Sequence, residues 1–237
     1  MLVEISQCEV SSSSPLFGKK DLLYKFKRVA DIVFSEITID DELLLELDVT
    51  GTFLLHGKTG TGKTTLAYEV IKYVEEKYSV TPYRIDVASL ITSRLGDTLK
   101  NFESVFSDIK DKSDAGVLVL LDEFDRFVVD RDSKVEISEL KRSLLSIMDF
   151  FSSLKHSDRI MLIAVTNYID SIDSALLRRF SFVDDVSVSE SEIMDYYRTK
   201  EDLYNKYDIA LTDSEIGKCE TIAGLKRELR KKFIGES

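Results

Sequence analysis

Eight consecutive residues, Gly57-Lys58-Thr59-Gly60-Thr61-Gly62-Lys63-Thr64, fit the pattern G-x-x-x-x-G-K-[ST] in full. Glycines at these places let the backbone turn tightly and approach a ligand. The N–H groups of Thr59 to Thr65 can then wrap phosphate at the positive end of a following helix. In such a loop Lys63 reaches the β- and γ-phosphates and the Thr64 hydroxyl ligates Mg²⁺. The pattern therefore predicts a nucleoside triphosphate site built from Gly57, Thr59, Gly60, Thr61, Gly62, Lys63, Thr64 and Thr65.

A second constellation closes the apolar run Val117 to Leu121 with two adjacent carboxylates, Asp122 and Glu123. In a parallel sheet the ligand crevice lies beyond the carboxyl ends of the strands, the edge that also carries a phosphate loop. Asp122 is thus placed to hold Mg²⁺ through its water shell, and Glu123 to polarise the water that attacks a γ-phosphate. A nucleotide switch or binding module could manage with Asp122 alone, so Glu123 argues for hydrolysis.

The elements that must position these groups follow from periodicity. Thr52 to His56, Tyr83 to Val87, Val117 to Leu121, Ile160 to Val165 and Phe182 to Val188 read as strands. Helical spacing marks Leu22 to Phe34, Glu42 to Leu47, the set Leu66, Val70, Ile71 and Val74, and the set Leu99, Phe102, Val105, Phe106 and Ile109. Leu140, Leu144, Ile147 and Phe151 repeat it once more. Continuous apolar strands alternating with helices indicate a five-stranded parallel sheet covered on both faces. After Val188 the strands stop. Ser189 with Glu192 and Thr212 with Glu215 can form capping boxes that open helices, and Leu225, Leu229 and Phe233 line a last helix. The expected organisation is a flexible arm over residues 1 to 18, an α/β core over 19 to 188 and a helical lid over 189 to 237.

With these residues in place, the chain resembles the AAA+ ATPases, nearest to the protein-remodelling AAA branch and to compact, single-module bacterial or phage-like members. The phosphate loop and the Asp122-Glu123 pair look like that family's Walker A and Walker B motifs. Asn167, after Ala164-Val165-Thr166, is similar to sensor 1, which implies that it orients the attacking water. Asp173-Ser174-Ala175-Leu176-Leu177-Arg178-Arg179-Phe180 looks like the segment carrying arginine fingers. The resemblance implies that Arg178 and Arg179 reach the γ-phosphate bound by a neighbouring subunit, and hence a ring, commonly a hexamer. Ala88 to Thr98 is similar to a substrate-gripping pore loop, but Arg94-Leu95 stands where the family has an aromatic before Gly96. Gly224-Leu225-Lys226-Arg227 fits a sensor 2 pattern, which would put Arg227 on the nucleotide. The same stretch aligns equally with the remodelling branch, which lacks that arginine.

Composition narrows the partners. The 237 residues hold 43% hydrophobic and 32% charged residues with only 2 prolines, the mix of an ordered globular chain. A net charge of −11, from 32 Lys+Arg against 43 Asp+Glu, argues against coating nucleic acid or anionic membrane. The longest apolar runs are too short for a membrane span. Met1 to Val10 lacks the pattern of a secretory signal, and Cys8 and Cys219 form no disulfide framework, which together point to the cytoplasm. The expected function is Mg²⁺-dependent ATP hydrolysis by an oligomeric ring acting on a protein partner. Two other readings use the same residues. One is a nucleic-acid-associated ATPase of the helicase-loader or transposition-regulator type, suggested by Lys226, Arg227, Arg230, Lys231 and Lys232. The other is an ATP-gated assembly scaffold, suggested by the missing pore aromatic.

Overall fold

The computed structural model of the chain describes residues 1–11, 16–35, 41–90, 97–127 and 145–235. Strands β1 (Leu2–Glu4), β2 (Thr52–His56), β3 (Thr81–Ile85), β4 (Val117–Leu121), β5 (Ile160–Thr166) and β6 (Phe182–Asp185) form one sheet in the order β1-β3-β4-β5-β2-β6. Helices are α1 (Gln7–Ser11), α2 (Lys20–Phe34), α3 (Asp41–Glu46), α4 (Lys63–Tyr78), α5 (Val87–Leu90), α6 (Asp97–Lys112), α7 (145–153) and α8 (Ser174–Leu177). They are followed by α9 (Glu190–Arg198), α10 (Glu201–Lys206), α11 (Asp213–Ile216) and α12 (Ile222–Ile234).

The five expected strands are all present and pair in parallel. The expectation of five strands is corrected to six. Leu2–Glu4, inside the stretch expected to be a flexible arm, pairs antiparallel with β3, Leu2 opposite Ile85 and Glu4 opposite Tyr83. A three-residue strand is too short to show a period, and what stabilises it is the open edge of β3 together with burial of Ile5 and Val10.

Period-two alternation divides the core between the two faces of the sheet. Phe53 and Leu55 face Phe26, Val29 and Val33 of α2 and Leu66, Val70 and Val74 of α4. Leu54, between them, faces the other way, into a cluster with Phe102, Phe106 and Ile109 of α6 and Ile147 and Phe150 of α7. Every residue of β4 and β5 is buried, as a strand covered on both sides requires. Fully burying each such side chain contributes about 1.5–3 kcal/mol. Leu140, Leu144, Arg94 and Leu95 lie outside the described residues.

A third apolar cluster gathers Ile193, Tyr197, Tyr204, Leu211, Ile216, Leu225 and Leu229 from α9 to α12. Both capping boxes form. Ser189 Oγ accepts from the Glu192 N–H at 3.2 Å while Glu192 Oε2 accepts from the Ser189 N–H at 2.8 Å, and Thr212 and Glu215 repeat the exchange. Leu225, Leu229 and Phe233 share α12 as expected, but Phe233 lies beyond the cluster that covers the other two. It is 66% exposed, because α12 runs past the cluster before Gly235 ends it in a left-handed turn. Among the described residues no helix is long and apolar enough to cross a membrane.

Candidate functional site

The sheet order brings β4, β5 and β2 side by side, so the loops after their carboxyl ends emerge together. The phosphate loop follows β2, Asp122 and Glu123 follow β4, and Asn167 follows β5 between them. Neighbouring strands lie about 4.8 Å apart, which keeps these groups within reach of one triphosphate.

The loop enters α4 through Gly62, a residue at φ 99° that makes no side-chain cap, so the first-turn N–H groups of α4 have no capping side chain. Gly57 and Gly60 also hold positive φ, 138° and 84°. At Gly60 an added Cβ would collide with the Cβ of Ala223 at the start of α12, so glycine here permits close approach of loop to lid as well as the turn.

Lys63 is only 5% exposed, and its Nζ donates to the carbonyls of Gly57 and Lys58, both at 2.8 Å. Burial lowers its pKa, and the charges of Asp122, Asp125 and Asp185 oppose that shift. The Thr61 hydroxyl, also buried, donates to the Lys58 carbonyl at 3.0 Å. Thr64 Oγ1 lies 3.4 Å from Asp122 Oδ2, while Asp122 Oδ1 accepts from the Glu123 N–H at 2.9 Å. One carboxylate thus ties the start of α4 to the backbone of Glu123. That backbone sits at φ 54°, uncommon for a side chain of this size, and Glu123 is exposed toward solvent.

Among the described residues no group of three or more His, Cys, Asp or Glu could hold a metal. Thr64 and Asp122 nevertheless fit Mg²⁺, which keeps several waters and takes one or two protein oxygens beside substrate phosphates.

Three cavities ring the loop, all between it and the lid. One of about 900 Å³ is lined by Lys58, Thr59, Glu220, Thr221 and Arg227. A second of about 440 Å³ is lined by Gly57, Thr61, Val188, Ile193 and Cys219. The third, about 200 Å³, is lined by Leu16, Phe17, Gly60, Thr65 and Tyr196. An ion pair between Lys58 and Glu220 at 2.7 Å crosses from loop to lid. Arg227 is exposed on the cavity wall and lies 3.6 Å from Glu228.

Arg178 and Arg179 are not brought to this edge. Both are exposed, just after α8. The Arg179 carbonyl accepts from Thr52 Oγ1 at 3.4 Å, at the amino end of β2. The phosphate loop leaves the carboxyl end of that strand, about 13 Å away at roughly 3.3 Å per residue.

Sequence reasoning missed Asp125, Leu16 and Phe17. Asp125 is 8% exposed and accepts from the Thr166 hydroxyl at 2.8 Å and from the Asn167 N–H at 3.2 Å. Its signal was a third carboxylate one short turn after Asp122. Leu16 and Phe17 carried no signal, since they sit beside Pro15 in a stretch without periodicity. Phe17 packs edge-on against Tyr196 of the lid at 5.3 Å, and the neighbouring Lys19 pairs with Glu192 at 2.9 Å.

A phosphate loop between a parallel sheet and a helical lid defines a P-loop nucleotide-binding protein. The family described as "ATPase family associated with various cellular activities (AAA)" matches residues 53–188, and the chain belongs to it. It is 28% identical over 191 residues to the 26S proteasome regulatory subunit 6B homolog of Aspergillus niger, covering 75% of this chain and 44% of that protein. It is 29% identical over 151 residues to CD-NTase-associated protein 6 of Pseudomonas aeruginosa, covering 59% and 49%. A chain in the structure of the E. coli MS115-1 HORMA:CdnC:Trip13 complex shares the fold with a TM-score of 0.76 at 15% identity, over 99% of this chain and 87% of that one. The chain spans less than half the length of these two curated relatives.

Proposed function

We propose that the chain is a Mg²⁺-dependent ATPase that acts as a ring, a hexamer in the simplest case, and uses hydrolysis to remodel or regulate a protein partner. The observation that carries this reading is the placement of Glu123 beside Asp122 at the edge occupied by the phosphate loop, with Arg178 and Arg179 held at the opposite end of the sheet. The loop N–H groups and Lys63 bind the triphosphate, and Lys63 exchanges its two loop carbonyls for phosphate oxygens. Thr64 and Asp122 hold Mg²⁺, which neutralises charge on the phosphates. Glu123 takes up the proton of the attacking water, and Asn167 orients that water. Arg178 and Arg179, which follow α8 beside the amino end of β2 and so away from their own loop, supply positive charge to the γ-phosphate of the next subunit.

The lid supports a protein partner over nucleic acid. In the C-terminal basic cluster Lys231 pairs with Glu228 at 3.0 Å, Lys232 with Glu215 at 3.2 Å and Arg227 with Glu228 at 3.6 Å, so much of its charge is neutralised locally. A similar fold occurs in a complex of HORMA, CdnC and Trip13 proteins, and a multi-protein setting of that kind suits this reading.

Glu123→Gln tests it. The variant is expected to bind ATP with wild-type affinity, to lose turnover at least 100-fold and to accumulate as an ATP-bound assembly from which a partner can be captured. Wild-type turnover by that variant would remove Glu123 from the mechanism. ATPase stimulation by DNA and by no protein would favour the nucleic-acid reading, and hydrolysis coupled only to ring dissociation would favour the scaffold.

A further inference from the structure

We infer that Asp125 is the positioning residue for Asn167, joining the loop after β4 to the loop after β5 so that Glu123 and Asn167 face the same water. This deepens the ATPase reading and rests on it.

The join runs through one oxygen. Asp125 Oδ1 accepts from Thr166 Oγ1 at 2.8 Å and from the Asn167 N–H at 3.2 Å. The Thr166 hydroxyl, 1% exposed, accepts in turn from the Tyr168 N–H at 3.0 Å. The last residue of β5 and the one after it are therefore held directly, and Tyr168 through Thr166, by a carboxylate that belongs to the short helical turn Phe124–Phe127. That turn starts immediately after Glu123. It is anchored by Phe124, which is fully buried and meets the ring of Phe180 edge-on at 5.8 Å.

A buried carboxylate is costly unless it is hydrogen-bonded, and an apolar residue would fill the same space at less cost to folding. One carboxylate oxygen accepts both bonds, which suits a group whose task is to hold two loops in register. Asp125 also contributes, with Asp122 and Asp185, to the negative field around Lys63. Two roles, hydrogen-bond acceptor and counter-charge, thus reside in one side chain. They can be separated, because asparagine keeps an acceptor oxygen and loses the charge.

The test compares kcat with affinity for a slowly hydrolysed fluorescent ATP analogue in the full assembled chain. Asp125→Ala is expected to lower kcat 10- to 100-fold while the analogue's Kd moves less than threefold. Asp125→Asn is expected to recover at least fivefold in kcat over the alanine variant. Wild-type kcat in Asp125→Ala, with Glu123→Gln inactive, overturns the inference and leaves the ATPase reading standing. Failure of Asp125→Asn to recover any kcat also overturns it, assigning the effect to charge. Wild-type turnover by Glu123→Gln removes both. Should the alanine variant fail to fold, Thr166→Val keeps the branched shape and deletes the hydroxyl. A threefold or larger fall in kcat with unchanged Kd then supports the inference, and an unchanged kcat overturns it.

Discussion

The phosphate loop and the arginine pair carry opposite charge logic within one chain. In the loop, Lys63 is buried and both of its described donors go to loop carbonyls, Thr61 bonds to Lys58, and Thr64 meets Asp122. The arginines have a fixed backbone and exposed side chains. The Arg178 N–H bonds to Ser174 and the Arg179 N–H to Leu176, and buried Leu176 and Phe180 hold the segment in place. The loop's own bonds hold these side chains in place, and preorganisation of that kind lowers the ordering cost of binding. The difference teaches that one chain gathers the residues of its own phosphate loop, whereas under the proposed mechanism the arginines act on the nucleotide of a neighbouring chain.

The largest expected effect breaks that comparison directly. Replacing Arg178 and Arg179 together with alanine should lower turnover about 10³-fold while ATP affinity stays within a few-fold. Lys63→Ala should instead abolish binding, read as loss of the ATP-dependent thermal shift, worth about 2.7 kcal/mol at 100 times Kd. Mixing the two defective chains should restore part of the ATPase. No recovery in mixtures that co-assemble would place the arginines outside the reaction.

A smaller effect sharpens the loop side. Gly60→Ala introduces a Cβ against Ala223 at a positive φ that costs on the order of 1–2 kcal/mol. ATP affinity should fall about tenfold. Adding Ala223→Gly should return only part of the loss, because it relieves the contact and leaves the backbone strain. Full recovery would show that the contact alone matters.

The smallest effect concerns the lid. The Thr212 N–H, the Thr212 hydroxyl and Lys232 pull the pKa of Glu215 from an ordinary 4.5 down to about 2. A carboxylate with a depressed folded pKa contributes stability above its unfolded value and loses it as pH falls through the folded one. The α11 cap should therefore weaken between about pH 4.5 and pH 2. Glu215→Gln should flatten that stretch of the stability curve, by an amount on the order of a degree in Tm for so exposed a group. Identical curves for both proteins would show that the cap does not contribute.

Much of the architecture is legible in local pattern. The five parallel strands show because burial on both faces demands unbroken apolar runs, as in Val117 to Leu121. The lid helices α9 and α11 show through their capping boxes, whose reciprocal bonds join residues three apart on one turn. Leu2–Glu4 escapes because its partner lies across the sheet at β3. The exposure of Phe233 is not legible, because a helical period reports a face without reporting how far the neighbouring cluster extends.

The candidate site divides along the same line. Gly57, Gly60, Gly62, Lys63 and Thr64 are readable because a phosphate cradle is made by consecutive residues whose types follow from their own backbone geometry. Asp125 needs Thr166, 41 positions away, and Leu16 and Phe17 need a lid that begins only after β6. Hydrogen-bond acceptors and cavity walls are defined by neighbours in space, and chain order carries no record of them. Spacing is enough to name a phosphate loop and a carboxylate pair. Folding adds which buried oxygen bonds across the two loops, and that the backbone of Arg179 meets the amino end of β2, the end away from the phosphate loop.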